Sequence, residues 1–235
     1  MAKILNIETS TSVCSVVLSI DGEVVSIQES HTKNSHAEKV SLFSQKVLSD
    51  AGLKFSDLDA VSVSKGPGSY TGLRIGVSTA KGYCYGLDIP LISVSTLSAM
   101  AAGMKNSLKY EDDANNTLFC PMIDARRMEV YTALFSERLE EIDKVSAKII
   151  DNESFTEQLT MHKLVFAGDG ASKCKEVLNH QPNAIFYDDF YPSATYLCKI
   201  AEQKYLDQDF ENTAYFEPYY LKEFIAGKPR VKGLR

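Results

Sequence analysis

The segment best suited to chemistry is Gly66-Pro67-Gly68-Ser69, a Gly/Pro loop that runs into a helix. At such a junction, backbone N–H groups point out of the positive end of the helix dipole, which suits an anion. The loop lacks the Gly-Lys-Ser/Thr of a Walker A motif, and glycines at 66, 68 and 72 miss the dinucleotide fingerprint. A plain strand-to-helix turn is the competing reading. Within the helix, Gly72, Gly76 and Ala80 recur every four residues, so one face has almost no side-chain bulk. Glycine inside a helix costs about 0.5–1 kcal/mol relative to alanine, so two of them need a reason. A close approach is that reason, either by the protein's own sheet or by a partner's helix.

The other reactive residue types are scattered. A metal pair on one helical face needs ligands at i and i+4, and four residues after His36 stands Val40. His31, His162 and His180 add no plausible shell. The five cysteines, Cys14, Cys84, Cys120, Cys174 and Cys198, contain no CxxC pair and read as reduced, mostly buried thiols. No GxSxG marks a nucleophile. Asp124-Ala125-Arg126-Arg127 sits between two apolar strands, where one carboxylate beside two guanidiniums could face a phosphate or form a local ion pair. Gly168-Asp169-Gly170 after an apolar run could admit a ligand to the backbone or simply turn the chain.

Elements to position these residues follow from periodicity. Residues 3–8, 13–20 and 23–29 alternate as an antiparallel meander with Asp21-Gly22 as a two-residue hairpin turn. Residues 35–51 carry an apolar stripe of Val40, Phe43, Val47, Leu48 and Ala51, with Gly52 as the stop. Then come a strand at 60–64, the helix ending near Gly86, a strand at 91–94 and a helix at 95–103. The polar stretch 105–116 predicts a boundary. Beyond it, strands at 118–123 and 128–135 pair as a hairpin. Residues 164–167 and 184–187 read as strands, and 171–178 and 193–206 as helices. Each half runs hairpin first and strand–helix pairs afterwards, which predicts two α/β lobes flanking a cleft.

The chain has 235 residues, 44% hydrophobic and 24% charged, which excludes collagen, coiled coil and wholesale disorder. A chain of this size buries enough surface to fold without disulfides or metal. Its net charge of −6 argues against the whole molecule being a nucleic-acid-binding surface. From Lys222 to Arg235 the balance is +4, leaving −10 for the rest. That tail reads either as a solvated end or as an arm for RNA phosphates. No apolar run reaches the roughly 18 residues of a transmembrane helix, and Met1-Ala2-Lys3-Ile4 does not open a signal peptide. A cytoplasmic protein is expected.

Several motifs together resemble the TsaB (YeaZ) family of bacterial proteins. They are Ile7-Glu8-Thr9-Ser10-Thr11, Ser35-His36-Ala37-Glu38, the run from Gly66 to Gly76, the run from Asp124 to Tyr131, Ala167-Gly168-Asp169-Gly170, and Pro218-Tyr219-Tyr220-Leu221-Lys222. The resemblance covers essentially the whole chain. It implies the two-lobed actin/Hsp70/sugar-kinase fold, with residues 1–107 as the N-terminal lobe, 108–214 as the C-terminal lobe, and 215–235 returning to the first. It further implies a non-catalytic subunit of the machinery that makes N6-threonylcarbamoyladenosine in tRNAs decoding ANN codons. Such a subunit binds a TsaD-type catalytic paralogue, a TsaE-type ATPase joins, and tRNA is met through the complex. An exposed docking face could also pair with itself, which would make the isolated chain a homodimer.

On that resemblance, the expected partner surface is His36, Val40, Phe43 and Val47 of one helix with Tyr70, Gly72, Leu73, Gly76, Val77 and Ala80 of the next. The expected cleft lining is Glu8, Thr9, Ser10 and Thr11 facing Asp124, Arg126, Gly168, Asp169 and Gly170. Family members usually carry Asp where this chain has Glu8, which weakens an ATP site, so ATP or ADP would bind weakly and no cofactor or metal is required. An autonomous phosphotransferase, or a glycoprotease-like peptidase of the M22 group, are the alternatives.

Overall fold

A computed structural model describes residues 1–32, 35–107 and 116–222. The first sheet holds β1 (Lys3–Glu8), β2 (Cys14–Ile20), β3 (Glu23–Ser30), β4 (Ala60–Gly66) and β5 (Leu91–Ser95), in the order β3-β2-β1-β4-β5. β1, β2 and β3 form an antiparallel meander, while β4 and β5 add parallel to β1. Asp21 (φ 53°) and Gly22 (φ 74°) are both left-handed, as a two-residue hairpin turn demands.

The second sheet repeats this plan. β6 (Thr117–Asp124), β7 (Glu129–Ser136), β8 (Glu141–Ile149), β9 (Lys163–Ala167) and β10 (Ala184–Tyr187) lie in the order β10-β9-β6-β7-β8. Again the first three strands form an antiparallel meander and the last two run parallel to its first strand. Two mixed sheets of one plan, each flanked by helices, make the two-lobed actin/Hsp70/sugar-kinase architecture.

Helices α1 (His36–Asp50) and α2 (Tyr70–Leu87) cover one face of the first sheet, where Val40, Val47, Leu48, Val77 and Cys84 meet Leu5, Ile7, Val16 and Val63. α4 (Thr156–Met161) and α5 (Ala171–Leu178) cover the outer face of the second. Between the sheets runs α3 (Thr96–Ser107), apolar nearly all round and therefore buried on all sides. Ala99 packs with Ile4 and Ile92 of the first sheet, whereas Leu97, Met100 and Met104 pack with Phe119, Ile123 and Val165 of the second. α6 (Cys198–Leu206) adds Ala201 to the core that holds Ala99.

After α6 the chain returns along the first sheet. Glu211 N donates to Leu91 O at 2.8 Å and Tyr219 N to Lys65 O at 2.7 Å. It then reaches the β6–β7 hairpin, where Lys222 pairs with Glu129.

Two elements depart from the expected list. β8 and α4 carry no strong period, because β8 is a largely exposed edge strand and α4 is short. The helix expected at 193–206 begins as a separate 3-10 turn, Ala194–Leu197, before α6. The polar stretch 105–116 falls mostly on 108–115, and the basic tail mostly beyond 222, both outside the described residues. Among the described residues no helix is long and apolar enough to cross a membrane.

Candidate functional site

The Gly/Pro loop and the hydroxyl-rich β1–β2 loop grip each other. Ser69 N donates to Ser10 O at 2.6 Å, and Ser69 caps α2 by accepting from Gly72 N at 3.3 Å. A Cβ at Gly68 would meet Ser10 O at 2.4 Å. On the other side, Gly66 (φ 108°) lies under the Tyr219 carbonyl. Two N–H groups proposed for an anion are thus spent on the chain's own oxygens.

The small-residue face of α2 also points inward, which corrects its assignment to a partner. A Cβ at Gly72 would lie 2.1 Å from Thr9 O, and one at Gly76 would lie 2.3 Å from Thr9 Oγ1. Thr9 fills the notch and donates its hydroxyl to Gly72 O at 2.8 Å. Ala80 is buried beneath the helix, and Val40, Val47, Leu73 and Val77 are core residues for the same reason. The apolar stripes of α1 and α2 are the faces that pack on the sheet, so a partner cannot reach them while the sheet is formed. Of the expected contacts, Phe43 and Tyr70 stay partly exposed, and His36 is buried with Nε2 against Val13 O at 3.1 Å.

The outer face of the helix pair is different in kind. Among the described residues Gly82 and Gly86 have nothing within 4 Å of a would-be Cβ. Beside them Tyr85 is 88% exposed, and Leu42 of α1 is 61% exposed. Arg74 and Ser78 continue the row toward the helix start. These residues were missed, although the four-residue spacing of Gly82 and Gly86 is visible in the sequence.

Glu8 ends β1 with its carboxyl fully buried. Oε1 accepts from Ser10 N at 2.6 Å and Oε2 has no hydrogen-bond partner. Burial pushes its pKa up, outweighing the nearby Ser10 and Ser64 groups that pull it down. Thr9 and Ser10 are as deeply buried, and Thr11 nearly so.

The second group assembles at the C-terminal ends of β6 and β9. Asp124 N donates to Asp169 Oδ1 at 3.0 Å, and Gly170 N to Met122 O at 3.0 Å. Gly168 (φ 119°) and Gly170 are required because a Cβ at either would strike the β6 backbone. Lys173 of α5, missed from sequence, pairs with Asp124 and donates to Glu129 O at 2.7 Å. Burial raises the Asp169 pKa, with the Asp124 N–H opposing it. The structure places Asp124, Gly168, Asp169 and Gly170 beside one another. The bonds that hold them run within the second sheet, and those of Glu8 to Ser10 run within the first.

At the hairpin tip, Arg126 (φ 73°) and Arg127 (φ 51°) are both left-handed and exposed. Among the described residues neither guanidinium has a hydrogen-bond or ion-pair partner. Between α2 and the returning chain lies a groove of about 370 Å³ lined by Arg74, Lys81, Phe216 and Tyr220.

Among the described residues nucleophiles and metal ligands are not gathered. Burial lifts Cys84, Cys120 and Cys198 to about 12 and Cys14 and Cys174 to about 11, so all five stay thiols at neutral pH. Ser193 donates to Glu29 Oε2 at 2.8 Å, and His31 meets Oε1 of the same carboxylate at 3.1 Å. The acid thus stands between serine and histidine, the reverse of a triad. Among the described residues no cluster of three His, Cys, Asp or Glu could hold a metal ion.

A family model described as "TsaD: tRNA N6-adenosine threonylcarbamoyltransferase" matches residues 23–228. The chain is 31% identical to the tRNA threonylcarbamoyladenosine biosynthesis protein TsaB of Escherichia coli, covering 96% of this chain and 97% of that one. It is 28% identical to the TsaB of Haemophilus influenzae over 96% and 95% of the two chains. Among solved structures, YeaZ from Pseudomonas aeruginosa is similar with a TM-score of 0.80 at 22% identity, covering 94% of this chain and 100% of that one.

Proposed function

Since the chain belongs to the TsaB branch of the TsaD family of tRNA threonylcarbamoyladenosine biosynthesis proteins, we propose that it is an activating subunit without transfer chemistry of its own. It docks on a TsaD-type catalytic paralogue through the outer face of α1 and α2, and a TsaE-type ATPase joins the pair. The carrying observation is the open row Ser78, Gly82, Gly86 beside exposed Tyr85 and Leu42. Gly72 and Gly76 have Thr9 as their reason, but Gly82 and Gly86 have no packing reason among the described residues. Bare helix backbone flanked by an exposed aromatic ring suits close approach by another helix.

The absence of an own reaction is supported by residue chemistry. His36 has Val40 where a second ligand would stand, and its ring is engaged by Val13 O. The thiols are inert, and the hydroxyls of the β1–β2 loop are buried.

The test is a reconstituted transfer assay with tRNA, threonylcarbamoyl-adenylate, a TsaD-type enzyme and a TsaE-type ATPase with ATP, run with and without this chain. Modification should need chain and enzyme together. Modification by the chain alone would overturn the non-catalytic assignment, and no effect of the chain would overturn activation.

A further inference from the structure

The returning chain builds a second surface, which meets the outer face of α2 at Arg74. Tyr220 packs on Tyr70 with ring centroids 4.8 Å apart and planes tilted by 37°, and Arg74 lies over the Tyr70 ring at 4.3 Å. Arg74 Nε donates to the Tyr220 hydroxyl at 3.3 Å, which fixes the cluster. Two residues on, Lys222 pairs with Glu129 and sits 6.0 Å from the Tyr131 ring centroid. Glu129 N in turn donates to Arg126 O at 3.1 Å, so the row continues without a gap into the Arg126-Arg127 tip.

The charges along this row do not cancel. Lys222 answers Glu129, and Lys173 answers Asp124. Glu217 lies near Arg74 as the acid at that end. Arg126 and Arg127 are left over, against the single half-buried acid Asp169 beside Asp124. Both also hold a backbone conformation that side chains disfavour and that glycine or asparagine would take more readily. Two bulky cations held there without a partner among the described residues point to a ligand outside them. Beyond Lys222 the sequence adds Lys228, Arg230, Lys232 and Arg235, so the basic character continues past the described residues.

We propose that the row from Arg74 and Tyr220 through Lys222 to Arg126 and Arg127 is an RNA-binding strip. Its arginines contact backbone phosphates, and the partly exposed Tyr220 ring offers a face for an unpaired base. Aromatic faces interleaved with cations are what single-stranded RNA requires, whereas a free anion would need no stacking rings. The choice of RNA as ligand rests on the tRNA-modification reading, and the strip assigns this subunit a direct share in holding that substrate.

The experiment measures anisotropy of end-labelled bulk tRNA against the full chain, across a series of salt concentrations. Wild type should bind with a negative slope of log affinity against log salt. Arg126→Gly/Arg127→Gly should weaken binding about tenfold near 0.1 M salt and shallow the slope by roughly 1–2, the share of two phosphate contacts. Tyr220→Ala should weaken binding several-fold and leave the slope unchanged, because it removes stacking and no charge. Lys199→Ala, a surface lysine on α6, should change nothing. If the double glycine variant melts below wild type, Arg126→Asn/Arg127→Asn keeps the left-handed backbone and is read in its place.

Wild type that does not bind tRNA, or strip variants that bind as wild type does, would overturn the proposal. The transfer assay keeps the two readings apart. Normal activation by strip variants with unaltered tRNA affinity sinks the strip and leaves the activating subunit standing. Strip-dependent tRNA binding by a chain that fails to activate does the opposite.

Discussion

Thr9 occupies two successive notches of α2, and a different atom needs each glycine. Gly76 yields to the Thr9 side chain, Gly72 to the Thr9 carbonyl. An asymmetry follows. Gly76→Ala should cost about 1–3 kcal/mol by overpacking, and Thr9→Ala should rescue part of it. Gly72→Ala should cost as much or more with no rescue by Thr9→Ala, since the offending oxygen is backbone. Chemical denaturation of the two double-mutant cycles checks this, and equal coupling in both would be the contrary result. Glu8 gives a second prediction. Burial raises its folded-state pKa above the roughly 4.3 of an exposed Glu, so the folded chain holds the proton to higher pH than the unfolded one. Its contribution is therefore complete below about pH 4 and declines as pH rises toward the folded value, at no more than about 1.4 kcal/mol per unit. Glu8→Gln should remove that decline. Urea midpoints of both proteins from pH 4 to 8 should diverge in favour of the variant, and a constant difference would count against the assignment.

Helix α2 carries two four-residue rows of small residues, and periodicity alone announces rows without saying which faces the sheet. Gly72, Gly76 and Ala80 lie over β1 and β4, while Ser78, Gly82 and Gly86 look outward. The inner row was legible as a close-approach surface; its partner, Thr9, was not, because a contact across 63 residues of sequence leaves no local trace. The same limit applies to Val40 and Val47, whose stripe was visible and whose direction was not. β8 escaped notice because an exposed edge strand has no buried alternation to display. At this scale the prediction is a contrast of two leucines. Gly82→Leu should fold, gaining up to about 1 kcal/mol in helix propensity, and lose co-elution with the TsaD-type partner. Gly76→Leu should fail to fold. A Gly82→Leu chain that still co-elutes would remove the outer face from the interface.

The two-lobed plan could be read from order alone, hairpin first and strand–helix pairs after, in both halves. What could not be read was that α3 belongs to both. Its Ala99 side serves the core of Ile4 and Ile92, and its Met100 side that of Phe119 and Val165. A shared helix makes one cooperative unit of two sheets. Calorimetry should give a single transition with equal calorimetric and van't Hoff enthalpies, and Met100→Ala, costing about 2–5 kcal/mol, should shift it as a whole. A separate lower transition in the variant would show independent lobes. The returning chain fastens the same two sheets at a second place, from Lys65 to Glu129. A hinge needs one soft joint, and here any closing motion must shear a close-packed helix and stretch a strap together. Mechanically the molecule is a beam. A push delivered by a neighbour on the outer side of α1 and α2 would arrive at the Arg126–Arg127 tip as displacement, with little lost to bending on the way.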